Sequence, residues 1–351
     1  MIAETRYGFR LGGPELLAGT LVIAAAIVAL RVPSAFEPAW RCAVFLGLGP
    51  TIGALSIACL HSMTGGKWGD PLRPALMAGC WLLPFMVALG LPLVVLRATE
   101  ATTAATRFNA PGIVAVRAVI LGLALVALAR TARREWPAAG HRATMRWFGP
   151  LGLIAVFFIN HVLLDDWLAP SDGAPSGTAF PLIWLLGQAV SALALAVIAA
   201  LRLGFDPRRP LASERTLGND VGTLLFAAVM TWCYVAFAHF LIIWSGNLPR
   251  EVAWYVVRIR SAWGAVPLVL LVLNLAAPML VLLSRRAKDS RRALAVIAIV
   301  LAAGQVLHTT WIILPPEPGV TMLVAIGLTC GGGILGLRAG MRLAREEGGA
   351  P

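Results

Sequence analysis

Charged residues are scarce in this sequence. Only 13% of the 351 residues are Asp, Glu, Lys or Arg, whereas a soluble domain has about 25%. Hydrophobic residues make up 59% of the chain, and the mean hydropathy is +0.81. Because so little charge cannot cover a globule with a polar surface, the composition excludes a soluble protein and predicts a chain whose solvent is mostly lipid.

Clustered metal ligands are missing as well. No C-x-x-C pair occurs, and the cysteines lie on different apolar segments, at Cys42, Cys59, Cys80, Cys233 and Cys330. Structural zinc, iron–sulfur clusters and c-type haem all require clustered ligands. We therefore expect no metal site and interpret the cysteines as small buried hydrophobic residues.

Paired histidines on a single helix, which stacked b-type haems require, are also lacking. His161, His239 and His308 lie on three different segments at similar depth, so one haem held between two helices is a minor alternative. The prediction is that the chain binds no redox cofactor of its own, with a bound quinone as an open alternative.

Long polar segments are absent too. The connections between apolar segments are all shorter than about 20 residues, which is too short for a soluble domain. A membrane-spanning helix needs about 20 mostly apolar residues, and ten segments satisfy this requirement. We predict an all-α polytopic protein in which residues 1–351 form a single integral-membrane domain. The predicted spans lie near residues 15–32, 40–61, 74–96, 111–130, 147–167, 179–203, 219–244, 262–283, 292–314 and 319–340.

The charge that is present has one dominant sign. The net charge is +12 and the isoelectric point is about 10.8, which in a soluble protein would indicate nucleic-acid binding. Here 21 of the 29 Lys and Arg residues fall in one set of alternate connections and termini, and 7 fall in the other set. Positively charged loops stay in the cytoplasm. The pattern therefore predicts a multi-pass protein of the bacterial inner membrane with both termini cytoplasmic, in contact with lipids and not with nucleic acid.

Ionisable side chains inside the spans are few and fall mostly in one layer. With a rise of about 1.5 Å per residue, the predicted orientation places them in the outer half of the membrane, apart from one histidine at the cytoplasmic end of the second span. Such groups are costly in lipid and mark functional sites, and His and Asp are typical proton-relay residues. We hypothesise a proton pathway formed by His61, His161, Asp165, Asp166, His239 and His308.

The ionisable side chains in the outer half of the membrane also allow other interpretations. One is a quinone site faced by Arg117, His161 and His239. Another is purely structural, with each side chain making an interhelical hydrogen bond or touching outer water; this suits Asp166, which borders a loop. A secondary transporter is less favoured, because transporters place their polar binding residues near the membrane midplane.

A glycine-rich turn follows the second span. Glycine adopts positive φ and permits a tight turn, and Lys and Trp suit the cytoplasmic headgroup region. The pattern predicts a cytoplasmic turn in residues 61–69, which have the sequence HSMTGGKWG.

A second motif ends the seventh span. Residues 240–249 have the sequence FLIIWSGNLP, in which Asn247 and Pro249 predict a turn. Trp244, together with the later Trp254 and Trp263, predicts an aromatic belt at the outer interface.

Together these motifs resemble the ActF-type membrane subunit of alternative complex III, a bacterial quinol:electron-acceptor oxidoreductase. That family has an L-x-I-W-x-x-N-x-P segment, matched here by Trp244, Asn247 and Pro249, and a weaker match is the Asp166-Trp167 pair that ends the fifth span. The resemblance extends over most of the chain in helix order. The family's H-x-x-T-G-G-x-W-G turn is matched by His61, Thr64, Gly65, Gly66, Trp68 and Gly69.

The resemblance implies both a fold and a role. The family belongs to the NrfD-like, or polysulfide-reductase-type, membrane subunits. This implies two four-helix bundles, built from spans two to five and six to nine, plus two peripheral helices. It also implies a subunit without haem or iron–sulfur cluster, beside a paralogous quinol-binding subunit and beneath periplasmic iron–sulfur and haem-c subunits. A role in assembly and proton translocation follows, with Asp166 as the outer polar residue and His161 and Asp165 beside it.

Overall fold

The protein is all-helical. The computed structural model describes residues 13–100, 111–136, 147–168, 179–211 and 215–347. A 3₁₀ turn, Pro33–Ala35, follows the first helix, and a π-helical turn, Val272–Ala276, joins the ninth and tenth. The α-helices are α1 Gly13–Arg31, α2 Phe36–Thr64, α3 Gly69–Glu100, α4 Pro111–Glu135, α5 Phe148–Trp167, α6 Phe180–Arg202, α7 Leu217–Gly246, α8 Pro249–Ile259, α9 Val266–Leu271, α10 Ala277–Leu282, α11 Arg285–Lys288, α12 Arg291–Ile313 and α13 Gly319–Glu347.

The chain is a polytopic membrane protein. Within the described ranges, eight helices are long and apolar enough to cross a membrane, namely α2 to α7, α12 and α13. Two shorter apolar helical segments, Leu16–Val28 and Val266–Leu282, coincide with the first and eighth predicted spans. The second of these contains the π-helical turn, which is why it is not one continuous α-helix.

Helices α2 and α6 lie at the centre of the molecule. In each, 72% of the most apolar stretch is buried, against 22% in α4 and in α7. Helix α2 packs against α3, α5, α6 and α13, whereas α6 packs against α2, α3, α7 and α12. Two neighbouring groups of helices therefore meet along the α2–α6 contact.

Glycine allows the two central helices to cross closely. A Cβ atom on Gly53 would lie 2.0 Å from the backbone oxygen of Gln188, far inside van der Waals contact. Small residues at such crossings let the two backbones approach closely. The resulting van der Waals packing holds the helices together in lipid, where no hydrophobic force acts between them. The α2–α3 contact follows the same rule, since a Cβ on Gly79 would lie 2.7 Å from the Ala54 methyl group.

Helices α1 and α13 pair with each other at the periphery. Their contact also depends on glycine, because a Cβ on Gly331 would lie 2.7 Å from the Val22 side chain and one on Gly327 would lie 2.8 Å from Ala25. A Cβ on Gly332, by contrast, would meet no atom of another helix within 4 Å, and the same holds for Gly333 and Gly336. Only part of the glycine-rich face of α13 is thus used within the described part of the chain.

We predict that Gly53→Ala destabilises the protein by about 1–3 kcal/mol, the usual cost of overpacking. The obstructing atom is a backbone oxygen of α6, which cannot rotate away as a side chain can. The free energy of unfolding in detergent, measured by titration with SDS, tests this. Gly332→Ala is the matched control, because its methyl group enters open space; equal stability of the two variants would contradict the predicted crossing.

Candidate functional site

The fourth and fifth helices are joined by a partly buried ion pair near their predicted outer ends. Arg117 donates from Nε to Asp166 Oδ2 at 2.8 Å and from Nη2 to Asp166 Oδ1. The Asp166 side chain is 4% exposed and that of Arg117 is 29% exposed. Bidentate guanidinium–carboxylate pairs of this kind fix geometry as well as charge. Of the two structural alternatives expected for Asp166, the interhelical hydrogen bond is the one observed, and contact with water alone is not, because the carboxylate is buried.

Trp167 holds this end of α5 in place. Its ring is fully buried, and a Cβ on Gly90 of α3 would lie 2.2 Å from the ring. The tryptophan therefore fits against bare backbone, and its neighbour Asp166 is turned towards Arg117 on α4. The Asp-Trp pair noted in the sequence thus has a packing role and an electrostatic role.

His161 and Asp165 do not join that pair. They lie one turn apart on α5, with Nε2 and Oδ2 separated by 3.9 Å, and their side chains are 42% and 70% exposed. They face the outside of the helix assembly rather than its interior. The single outer cluster predicted from the sequence is thus divided, because neighbouring residues on a helix point to different sides.

His239 occupies a third location, on α7. It is buried, and its Nδ1 lies 3.3 Å from the Tyr255 hydroxyl group of α8. Tyr255 in turn packs edge-to-face on Phe240. The predicted quinone-facing set of Arg117, His161 and His239 is accordingly distributed over three helices, with different partners for each member.

His308 on α12 lies within a cage of tryptophans. Its ring centroid is 4.9 Å from that of Trp232, in an edge-to-face arrangement, and 6.4 Å from those of Trp184 and Trp311. The histidine is only 7% exposed. Its ring contacts therefore join α6, α7 and α12 around one enclosed imidazole.

Two amide pairs lie deeper, and the sequence pattern did not predict their contact. Gln188 donates to Asn160 Oδ1 at 3.1 Å, which links α6 to α5, and Gln305 donates to Asn274 Oδ1 at 3.2 Å, which links α12 to the π-helical turn. All four residues are at most 4% exposed. Counted from the corresponding helix ends in the structure, which are Trp167, Phe180, Val266 and Ile313, each lies seven or eight residues into its helical segment, about 10–12 Å along the axis. The sequence signal is an amide side chain within an apolar span; the predicted span ends place the four residues seven to twelve positions deep, so their common depth emerges only from the helix bounds of the structure.

The π-helical turn contributes Asn274 to these two buried amide pairs, which together form the amide layer. Asn274 is fully buried, its side chain donates to the Leu270 carbonyl at 3.4 Å, and its own carbonyl accepts from Cys233 at 3.2 Å. Single π-helical turns widen a helix locally and occur often at functional sites. Gly304 of α12 lies against the Asn274 side chain, since a Cβ on this glycine would come within 2.6 Å of Nδ2. The turn thus presents a polar side chain to α12 inside an apolar span.

His61 lies in the last turn of α2, at the connection to α3 that the sequence predicted to be cytoplasmic, and it has an evident packing role. Its ring stacks on Trp136 with centroids 3.8 Å apart and meets Trp68 edge-to-face at 4.8 Å. Its Nε2 is 3.1 Å from the Gly66 carbonyl oxygen. Gly69 leaves room for this stack, because a Cβ there would lie 2.3 Å from His61 Nε2. The motif residues therefore close around one ring.

The two central glycines confirm the predicted turn. Gly65 has φ of 63° and Gly66 has φ of 99°, values in the region that favours glycine. Gly65 follows the end of α2, where its N–H binds the His61 carbonyl, and Thr64 bonds back to Leu60 within the helix. The turn is therefore built by backbone conformation as well as by the ring stack.

The second motif also forms a turn, followed by a short helix. Asn247 ends α7 in the left-handed region, with φ of 46°, and Pro249 begins α8. Trp244 is 50% exposed, as expected of a residue at the interface, but Trp254 and Trp263 are buried. The predicted three-residue aromatic belt is wrong for these two, because α8 folds back and packs them against the end of α12 and the segment after it.

Arg258 holds α8 on the end of α12. It is 6% exposed, and it donates to the carbonyl oxygens of Trp311 and Ile312, the latter at 3.2 Å. Its guanidinium also lies 5.0 Å from the centroid of the Trp254 ring. The last carbonyls of a helix lack intrahelical partners and carry partial negative charge. Arg258 therefore caps the end of α12.

An open surface groove of about 690 Å³ runs along α4 beside the Arg117–Asp166 ion pair. Arg117 lies on its wall among apolar residues, which are Gly112, Ile113, Val116, Ile120 and Leu121. Of the described residues, no three His, Cys, Asp or Glu side chains are grouped to hold a metal ion.

We predict that Arg258→Lys lowers the free energy of unfolding by about 1.5–3 kcal/mol, the contribution of hydrogen bonds to a charged group. A lysine ammonium cannot span two successive carbonyl oxygens as the guanidinium does. Thermal unfolding in detergent, followed by tryptophan fluorescence, measures the change. The control Arg260→Lys alters an exposed residue two positions away and is expected to leave the unfolding temperature unchanged.

Comparison with known proteins leaves the motifs as the main guide to function. No protein-family model matches this sequence, and no curated protein matches it significantly.

Proposed function

We propose that the protein is an integral membrane subunit of a respiratory quinol:electron-acceptor oxidoreductase similar to alternative complex III, located in the bacterial inner membrane. In this proposal the chain binds no redox cofactor itself, supports assembly of the complex and contributes groups to proton translocation. Its partners are a paralogous quinol-binding subunit, periplasmic iron–sulfur and haem-c subunits, and lipids.

The observation that carries this proposal is the arrangement of the helices. Helices α2 to α5 pack among themselves, α6 packs with α7 and α12, and the π-helical turn and α10 contact both α7 and α12. The pair α1 and α13 lies outside, on α2 and α3. This supports ten spans in two four-helix bundles with two peripheral helices, which is the fold that the motif resemblance implies.

The motif residues give further support. The residues shared with the ActF-type turn are those that enclose the His61 ring or supply its glycine conformations, and those of the second motif end α7 and begin α8. Sequence identity at positions with defined structural roles argues for a common architecture. It says less about chemistry, since His61 is engaged in stacking.

For proton transfer, the described groups offer an outer end and an interior. The outer end is the Arg117–Asp166 pair, whose carboxylate must leave the guanidinium before it can pass a proton on. The interior is the amide layer with His308 beside it, since Gln305 lies less than one turn from His308 on α12. His161 and Asp165 face outward and are better suited to exchange with outer water.

A second candidate function is that of a quinone-binding NrfD-like membrane anchor. The groove along α4 favours it, because an open apolar helix surface with one guanidinium on it suits a polar head on an apolar tail. In this alternative, Arg117 would hold a quinone oxygen after release from Asp166.

Co-purification separates the two candidates. We expect extraction of the affinity-tagged chain from its native membrane in mild detergent to recover haem-c and iron–sulfur subunits in fixed ratio, with quinol-oxidising activity. Recovery of the chain alone with a stoichiometric quinone would support the anchor instead. Recovery of the chain alone without quinone would contradict both.

We predict that Asp166→Asn reduces proton release coupled to quinol oxidation roughly 100-fold, the usual effect of removing a proton-transfer group. Measurement is by a pH-sensitive dye in vesicles containing the assembled complex. Asp165→Asn is the matched control, one residue away but 70% exposed, and is expected to retain most of the coupling.

The double variant Arg117→Gln with Asp166→Asn separates the loss of a proton-transfer group from a defect in assembly. Asp166→Asn alone leaves a partly buried guanidinium without its carboxylate, whereas the double variant replaces the ion pair by two neutral amides. Restored assembly without restored proton release supports a proton role for Asp166. Full coupling in any variant that lacks this carboxylate would rule that role out.

A further inference from the structure

Buried hydrogen-bond donors accumulate where α2, α6, α7 and α12 meet. The Nε of Arg41 and the indole Nε1 of Trp184, Trp232 and Trp311 have no hydrogen-bond partner among the described residues. These four residues are 4–8% exposed. A buried donor without a partner costs about 1–3 kcal/mol. Summed over four groups, this is a large part of the roughly 5–15 kcal/mol that typically stabilises a protein.

These donors belong to one region. All three tryptophan rings contact His308. Trp184 also meets Phe45 edge-to-face at 5.4 Å, and Arg41 lies one helical turn from Phe45 on the same face of α2. The region therefore surrounds His308 and reaches the outer end of α2.

Gly187 shows where two of the polar groups face each other. A Cβ on this residue would lie 3.1 Å from Trp232 Nε1 and 2.7 Å from Gln305 Oε1. The indole N–H and the amide oxygen thus border the same narrow space beside the backbone of α6. Because residue 187 is glycine, polar atoms rather than a methyl group line this space.

The same region also contains an unmatched acceptor. Gln188 Oε1 is buried without a partner in the described part of the chain, as is the donor Asn160 Nδ2, although the two residues share one hydrogen bond. A ligand that only accepts, such as a quinone carbonyl or an anion, satisfies the N–H groups but not Gln188. Water both donates and accepts, and buried waters typically make about three hydrogen bonds to such groups.

We propose that this junction is an internal hydration site, in which ordered water molecules bind the indole N–H groups, the Arg41 guanidinium and the Gln188 amide around His308. The waters connect the Asn160–Gln188 pair with the Gln305–Asn274 pair across α6. Use of this connection to carry protons between His308 and the outer face rests on the function proposed above, whereas the hydration itself does not.

Hydroxyl-radical footprinting by X-ray pulses tests the proposal, because radicals formed from bound water modify the side chains beside it. The full chain is reconstituted in nanodiscs of phosphatidylethanolamine and phosphatidylglycerol without quinone. Trp184, Trp232 and Trp311 are expected to be modified several-fold faster than Trp167. Trp167 is the internal control, because its Nε1 is equally buried and unpartnered among the described residues but its ring is packed on Gly90. Equal rates for all four would overturn the proposal.

A variant sharpens the outcome. Gly187→Ala places a methyl group between Trp232 Nε1 and Gln305 Oε1 and is expected to slow modification of Trp232 several-fold. Slow modification of the fully buried Trp167 is the reference for correct folding. Unchanged modification of Trp232 in a folded variant would overturn the site; if the variant does not fold, the comparison with Trp167 in the unsubstituted chain decides alone.

Addition of a quinone to the nanodiscs shows whether water or a quinone carbonyl accepts the hydrogen bonds of the buried N–H groups. Unchanged modification of the three tryptophans supports water, whereas protection by quinone would assign the site to a carbonyl ligand and overturn the hydration proposal. Neither measurement needs partner subunits, so a failure here is distinct from a failure of co-purification, which concerns the proposed function.

Discussion

The close crossing of α2 and α6 determines the environment of the buried amide side chains at the centre of this protein. Gly53 brings the backbone of α2 against the Gln188 carbonyl, and this contact fixes the rotation of α6 about its axis. With that rotation set, the Gln188 side chain meets Asn160 of α5, and Gly187 faces Gln305 and Trp232. A side chain at position 53 would separate the helices and change all of these distances together.

Lipid offers no hydrogen bonds, so helix ends and polar side chains inside the membrane need partners from the protein. Arginines supply many of them at the ends of the spans. Arg258 binds the last carbonyls of α12, Arg291 binds the Leu201 and Phe205 carbonyls at the end of α6, and Arg73 binds the Trp136 carbonyl and Glu347. In a chain with only 13% charged residues, these guanidinium groups tie helices to each other rather than cover a surface.

The histidines differ in their structural roles although they are the same type of residue. His61 stacks on one tryptophan and meets a second edge-to-face, His239 meets a tyrosine hydroxyl, and His161 is partly exposed. His308 alone among these four lies beside both the amide layer and a group of buried indole N–H atoms. The enclosed polar surroundings of His308 therefore belong to a combination of α6, α7 and α12, and not to histidine as such.

The sequence by itself determined the class of the protein, because hydropathy and charge act over whole segments and survive small errors in position. Scarce charge and long apolar segments predicted an all-helical membrane protein, and glycine at positions 65 and 66 predicted the turn, since few other residues adopt positive φ. Only the tertiary structure decided which polar groups meet. Asp166 and Asp165 are adjacent in sequence, yet one is buried against Arg117 and the other is exposed. That difference depends on helix rotation and on a partner 49 residues away, which periodicity alone does not specify.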